Sequence, residues 1–212
     1  MPTLLERTKT YQRFPPERVI GTMSLEEWTA YLESSKHKSH YICGEVVEVA
    51  GASPEHNLVA MNMALALRNS LDAQDAQDAD CDVLGSDQKV YVAPELYYFP
   101  DLCVVCGEWK VDLHDALQNP CVIVEVLSPS TEADDRTDKF REYQQIASLR
   151  HYILIDQSRV AVTHFKKLAQ GLWAIVGDFR ALDDTLKITL GTATVEVTLT
   201  QVYRRVAFPE TT

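Results

Sequence analysis

Two carboxylates stand where a carboxylate is costly. Asp101 follows Tyr97-Tyr98-Phe99-Pro100 and precedes Leu102-Cys103-Val104-Val105, and Glu125 sits inside Val122-Ile123-Val124-Glu125-Val126-Leu127. Both runs read as buried strands, where an ionised side chain is unfavourable unless a cation or hydrogen-bond donors meet it. Side chains alternate along a strand, so Phe99, Asp101 and Cys103 group on one face, and Cys121, Ile123, Glu125 and Leu127 group on another. If the two strands are neighbours with those faces aligned, Asp101 and Glu125 can share one divalent cation. Two carboxylates completed by water form a hard-oxygen site suited to Mg2+ or Mn2+. Such an ion activates water and neutralises charge developing on a phosphate. The plainer alternative is that each carboxylate bonds a nearby lysine, arginine or backbone amide.

Lys139 bears on that choice. It lies four residues before Tyr143 and seven before Ile146, on the helical stripe that should face the core. A lysine there either snorkels to the edge or meets a buried carboxylate, and Glu125 is the candidate. The contact would serve as a structural ion pair or as a cation beside a bound phosphate.

These residues need a scaffold, and 212 residues suffice for one domain with a real core. Residues 1–22, with Pro15-Pro16 and little periodicity, read as an arm, and 23–212 as a single domain. Ser24 and Glu27 form a capping box that opens a helix to about Ser34. Tyr41–Ala50 reads as a strand. Ser53 as N-cap and Pro54 at N1 open a second helix to about Leu71, its apolar positions read as Leu58, Met61, Leu65 and Leu67. Strands are predicted over Cys81–Ala93, Tyr97–Val105 and Cys121–Leu127, then a helix over Asp135–Ala147 and a strand over Tyr152–Asp156. Short strands at Val160–Phe165, Leu172–Val176, Leu186–Leu190 and Val195–Leu199 form a meander before a brief C-terminal turn. From residue 53 to 156 the order is α-β-β-β-α-β, a sheet layered with helices.

Composition narrows the partners. The formal charge is −11, whereas nucleic-acid binders usually present a basic surface. Any DNA contact is therefore expected to be local, weak and salt-dependent, with Arg136, Lys139, Arg141 and Arg150 as the candidate patch. Asp72, Asp75, Asp78, Asp80 and Asp82 read as a solvated loop or frayed helical turn. No apolar run is long enough for a bilayer and the N-terminus lacks signal-peptide order, so a cytoplasmic location is expected. Five cysteines spread over strands fit reduced, mostly buried thiols, and Cys103 and Cys106 point to opposite faces of a strand, which argues against a zinc or redox pair. Apolar strands in the meander need cover, so a homodimer is expected.

The stretch 97–107, then Asn119-Pro120-Cys121 through Glu125-Val126-Leu127-Ser128-Pro129-Ser130-Thr131, then Asp135, Lys139 and Tyr143, resembles the Uma-type endonuclease family. Gly44-Glu45 and Ser53-Pro54 with His56 also match its pattern, and the resemblance spans roughly residues 24 to 205. That family belongs to the PD-(D/E)xK superfamily, which implies a restriction-endonuclease-like αβββαβ core with an added N-terminal helix and strand and a C-terminal meander. It further implies Asp101 and Glu125 as catalytic and metal-binding acids, the carbonyl of Val126 as a third ligand, Glu45 as a further acid and His56 as a phosphate contact; Arg136 is a candidate substrate contact through the basic patch. Leu127 stands where the superfamily places a lysine, so Lys139 would take that role. The implied activity is Mg2+- or Mn2+-dependent hydrolysis of DNA phosphodiester bonds. Leu127 and the acidic charge leave room for a nuclease-like fold used for binding or assembly, and for an enzyme acting on a small phosphorylated substrate.

Overall fold

The structure, a computed structural model, describes residues 13–73 and 80–208. After a 3-10 turn at Pro16–Arg18, its strands are β1 (Val19–Thr22), β2 (Ser39–Ile42), β3 (Glu45–Glu48), β4 (Cys81–Leu84), β5 (Val90–Ala93), β6 (Leu96–Tyr98), β7 (Leu102–Cys106), β8 (Val122–Leu127), β9 (His151–Asp156), β10 (Val162–Lys167), β11 (Trp173–Phe179), β12 (Thr185–Leu190) and β13 (Ala193–Thr198). The helices are α1 (Leu25–Ser34), α2 (Pro54–Asp72), α3 (Glu132–Arg136), α4 (Asp138–Tyr143) and α5 (Leu199–Val202). They build a six-stranded sheet in the order β11-β10-β9-β8-β7-β4, a five-stranded sheet in the order β1-β3-β2-β6-β5, and the β12–β13 hairpin. Within the six-stranded sheet the chain runs α2-β4-β7-β8-α3/α4-β9, with β8 and β9 parallel and β7 antiparallel to β8. The αβββαβ order read from the sequence is thus present, and the fold is mixed α/β.

Three strands expected as continuous are broken. The segment 41–50 turns at Cys43 and Gly44, both at positive φ (51° and 90°), making a two-residue hairpin between β2 and β3. A primed turn demands that conformation, and Cys-Gly is a weak sequence signal for it beside Asn-Gly. The segment 81–93 divides at Gly85–Gln88 into β4 and β5, which belong to different sheets. The segment 97–105 divides at Phe99-Pro100-Asp101 into β6 and β7, because Pro100 cannot donate to a ladder. The helix at 135–147 is likewise two short pieces separated at Thr137 (φ −123°, ψ −87°). Part of the N-terminal arm, residues 19–22, is a strand paired with β3.

The six-stranded sheet buries both faces. Val122, Val124 and Val126 of β8 pack with Val59, Met63, Ala66, Leu67 and Leu71 of α2, the β12–β13 hairpin and α5. Ile123 and Leu127 face the other way, against Tyr143 of α4 and the five-stranded sheet. The buried stripe of α2 differs from the one expected: Met61 and Leu65 are 60% and 54% exposed. The helix carries two apolar stripes, and docking on β8 and β13 selects the one with Val59 and Met63. Of the acidic stretch, residues 74–79 lie outside the described residues. Asp72 ends α2 paired with Arg68, while Asp82 lies in β4 and accepts a hydrogen bond from the Trp109 indole. No helix among the described residues is long and apolar enough to cross a membrane.

The expectation of five reduced thiols is corrected. Cys81 and Cys106 face each other across the β4–β7 pair and form a disulfide, leaving Cys43, Cys103 and Cys121 free. Directly opposed positions on one sheet face can bridge; neighbours along one strand cannot. Alkylation under denaturing, non-reducing conditions should therefore label three thiols. Five labelled thiols in the purified protein would contradict the bond.

A buried histidine pair ties the hairpin to the sheet. His151 Nδ1 lies 2.8 Å from His164 Nε2, and His151 Nε2–H donates to the Thr189 carbonyl at 3.0 Å. Burial, with nearby Lys166 and Arg150, holds His151 down to about 4, and burial with its partner ring holds His164 down to about 3. The unfolded chain, titrating near 6.5, binds protons that the folded chain refuses, so this stability is complete above roughly pH 6.5 and lost as pH falls toward 4. NMR should show both rings neutral down to about pH 5 while the melting temperature falls through that window. Rings titrating near 6.5 would contradict the pairing.

Candidate active site

The break at Pro100 is what frees Asp101. It stands immediately before β7, with its side chain 20% exposed, at the point where β8 runs on past the end of its partner. A reciprocal clamp joins the two elements. The Val126 N–H donates to Asp101 Oδ2 at 2.7 Å, and the Asp101 N–H lies 3.4 Å from Glu125 Oε2. A residue in an extended strand points its N–H and C=O to one edge, so Val126 also offers its carbonyl to the Asp101 side.

Glu125 is buried on the face of β8 that meets α4. Its Oε1 accepts from Lys139 Nζ (3.0 Å) and from the Tyr143 hydroxyl (2.9 Å). Lys139 Nζ also lies 2.9 Å from Asp135 Oδ1, and it sits 5.7 Å from the centroid of the Tyr98 ring. Asp135, Lys139 and Tyr143 recur every four residues, which keeps them on one side despite the break at Thr137. Burial, helped by Asp135 and Asp101 and opposed by Lys139, raises the Glu125 carboxyl to about 8. Burial likewise raises Asp135 against the pull of Lys139. Burial opposes the Lys139 ammonium, but Asp135 and Glu125 outweigh it and Lys139 is raised. Two buried carboxyls, Glu125 and Asp135, thus share the one ammonium of Lys139.

His56 completes the constellation from α2. The Ser53 side chain caps the helix by accepting from the His56 N–H at 3.1 Å, fixing the ring at the first turn. His56 Nε2 lies 3.3 Å from Asp101 Oδ2. Burial disfavours the imidazolium, but the hydrogen bond and charge of Asp101 outweigh it, and His56 is raised. Its Nδ1 is buried without a partner among the described residues.

Asp101, Glu125, Val126, Lys139 and His56 thus converge at a cleft of about 1250 Å³ between the two sheets. Two of the expected site residues do not. Glu45 sits at the far end of β3, in register with Thr22 and Ile42, and does not line the cleft; Glu48, three residues on, does. Arg136 pairs with Glu132 at 2.8 Å, one helical turn back, and also lies off the cleft. The rest of the proposed basic patch is similarly engaged: Arg141 pairs with Asp138, and Arg150 donates to the carbonyls of Ala147 and Leu149. The cleft's cations instead include Arg18, Lys36 and Lys38. Asp135 and Tyr143 were visible in the sequence as helical neighbours of Lys139 but carried no assigned contact. Behind them, Arg13 bonds Asp134 at 2.5 Å and Glu142 at 2.9 Å, while Glu142 also accepts from the Tyr98 hydroxyl.

Fold and site together define a nuclease-like protein. A crystal structure described as a "putative nuclease belonging to DUF820", from Anabaena variabilis ATCC 29413, superposes with a TM-score of 0.60 over 82% of this chain and 96% of that one. At 12% identity the match speaks of fold alone, and the fold is restriction-endonuclease-like. Residues 24–200 match the model of the Uma2 family, "putative restriction endonuclease", and the chain belongs to that family. Two uncharacterized proteins of Synechocystis sp. are similar as well. One, slr1290, is 29% identical over 91% of this chain and 97% of its own length; the other, sll1609, is 34% identical over 74% and 89%.

Proposed function

We propose that this protein is a metal-dependent endonuclease that hydrolyses DNA phosphodiester bonds at the Asp101–Glu125 centre. The observation that carries this reading is the convergence of two carboxylates, one from the break before β7 and one from β8, each with one oxygen less engaged than the other. Lys139 and Tyr143 occupy Oε1 of Glu125, and Val126 and His56 occupy Oδ2 of Asp101. Asp101 Oδ1, Glu125 Oε2 and the Val126 carbonyl make a hard-oxygen donor set that fits Mg2+ or Mn2+ with water completing the shell. Bound there, the ion would supply an activated water and charge neutralisation at phosphorus.

The chain's own groups do the positioning. Lys139 and Tyr143 fix the plane of the Glu125 carboxylate, and the Val126 amide fixes that of Asp101. An ammonium has three N–H donors; two go to Glu125 and Asp135, and the third is available to a phosphate oxygen in the cleft. Leu127, buried in the core, cannot do this. Lys139 thereby takes from α4 the place that a lysine two residues after Glu125 would take from the strand. His56 holds Asp101 through Nε2.

A second reading, a fold that binds without cutting, is favoured by the degree to which Lys139 already neutralises Glu125. Among the described residues, moreover, no group of three or more His, Cys, Asp or Glu side chains could hold a metal ion. Supercoiled plasmid with millimolar Mg2+ or Mn2+ separates the two readings. Wild-type nicking that stops with chelator supports the nuclease, and equal nicking by wild type, Asp101→Ala and Glu125→Ala refutes it.

A further inference from the structure

Asp135, Lys139 and Tyr143 form one stripe of the broken helix, and a second stripe runs beside it. Asp134, Asp138 and Glu142 recur at the same four-residue spacing, one position earlier in each turn. Like charges four residues apart destabilise a helix. The helices α3 and α4 are five and six residues long, too short to hold their form unaided. A single guanidinium answers the whole row. Arg13 Nε lies 2.5 Å from Asp134 Oδ1 and 3.8 Å from Asp138 Oδ2, and Arg13 Nη1 lies 2.9 Å from Glu142 Oε2. Arg141 adds a contact to Asp138 only. The Arg13 side chain is 11% exposed and that of Glu142 7%, so this is a largely desolvated contact and not a surface pair.

Asp134 belongs to α3, whereas Asp138 and Glu142 belong to α4, so Arg13 spans the break at Thr137 from outside. Lys139 spans the same break from inside, through Asp135. The two cations meet at one ring: Arg13 Cζ lies 5.8 Å and Lys139 Nζ 5.7 Å from the Tyr98 centroid, and the Tyr98 hydroxyl donates to Glu142. Phe14, buried in the same core as Tyr143, fixes the segment that delivers Arg13. Phe140 stacks on Tyr152, which keeps α4 on the sheet by itself. The part left to Arg13 is how α3 closes on α4. We infer that Arg13 is a positioning residue: it closes α3 against α4 across the break and so seats Lys139 between Asp135 and Glu125. Arg13 is absent from the cleft lining, so it acts through Lys139. The consequence for cleavage rests on the nuclease reading of the same site; the seating of Lys139 does not.

Lysine-selective NMR of the full chain in EDTA tests the seating. Hydrogen exchange between the Lys139 ammonium and water reports how often it leaves its carboxylates. In Arg13→Gln that exchange should quicken about tenfold, the scale of coupling within one ion-pair network. Asp134→Asn leaves Arg13 paired with Glu142 but cuts its tie to α3, and should have the same effect. Cys103, fully buried in β7, should stay closed to a maleimide in both variants, which separates local opening from unfolding. Nicking by either variant should lose about tenfold in kcat with KM unchanged, the signature of a group that acts on the chemical step. Lys139 exchange that ignores either substitution overturns the inference, as does opening of Lys139 together with Cys103, or a kcat that stays at the wild-type value. The two readings fail separately. Wild-type protein that cuts no DNA sinks the nuclease and leaves the exchange result standing. Wild-type nicking with Lys139 exchange indifferent to Arg13 sinks only this proposal.

Discussion

Lys139→Met is expected to destabilise the protein by about 3–5 kcal/mol, the cost of leaving buried carboxylates without their cation. Lys139 is 6% exposed and serves both Glu125 and Asp135, so methionine fills its volume but answers neither charge. The loss should depend on pH in a defined direction. Burial already raises both carboxyls in the folded state, so the folded chain holds protons that the unfolded chain releases as pH rises above roughly 4.5. Without the ammonium that rise is larger. The deficit relative to wild type should therefore be smaller at pH 5 than at pH 8. Urea denaturation of both proteins at the two pH values measures it directly, and the histidine pair, common to both, cancels. A deficit below about 1 kcal/mol that ignores pH would mean that Lys139 does not neutralise this pair.

Asp101→Ala should behave in the opposite way. Its side chain is partly exposed, so water can replace it at the Val126 amide, and the stability cost should be about 1 kcal/mol. Nicking of DNA in Mg2+ or Mn2+ should nevertheless fall roughly a thousand-fold, because the proposed metal ligand and the anchor of His56 are lost together. Initial nicking rates and melting temperatures on the same preparation test the separation. A variant that loses activity only in proportion to unfolding would make Asp101 a structural residue.

The contrast shows which parts of the site the amino-acid order could reveal. Glu125, inside an unbroken apolar run, and Lys139, on the inner stripe of a helix, were each out of place by burial, and each lies where its cost is met. The αβββαβ order was legible because β8 and β9 are plain apolar strands and Ser24 and Ser53 are strong helix caps. Turn chemistry was not: Cys43-Gly44 makes a primed turn without its usual residues. The family resemblance offered Glu45 as a further acid, but the hairpin leaves it off the cleft and brings Glu48 there. The β5–β6 hairpin departs into a second sheet, and no local signal says which sheet a short strand will join. Arg136 lies off the cleft, paired with its i−4 partner Glu132. Arg18 and Lys36 were missed because they matter through the cleft, a property of the assembled layers and not of either segment.

The central claim is that Asp101 and Glu125 share one divalent cation. Anomalous diffraction from Mn2+-soaked crystals tests it most directly. One peak within about 2.1–2.2 Å of an oxygen of each carboxylate is the predicted result. Saturating Mn2+ with no peak between them, and Lys139 still seated on Glu125, would contradict it.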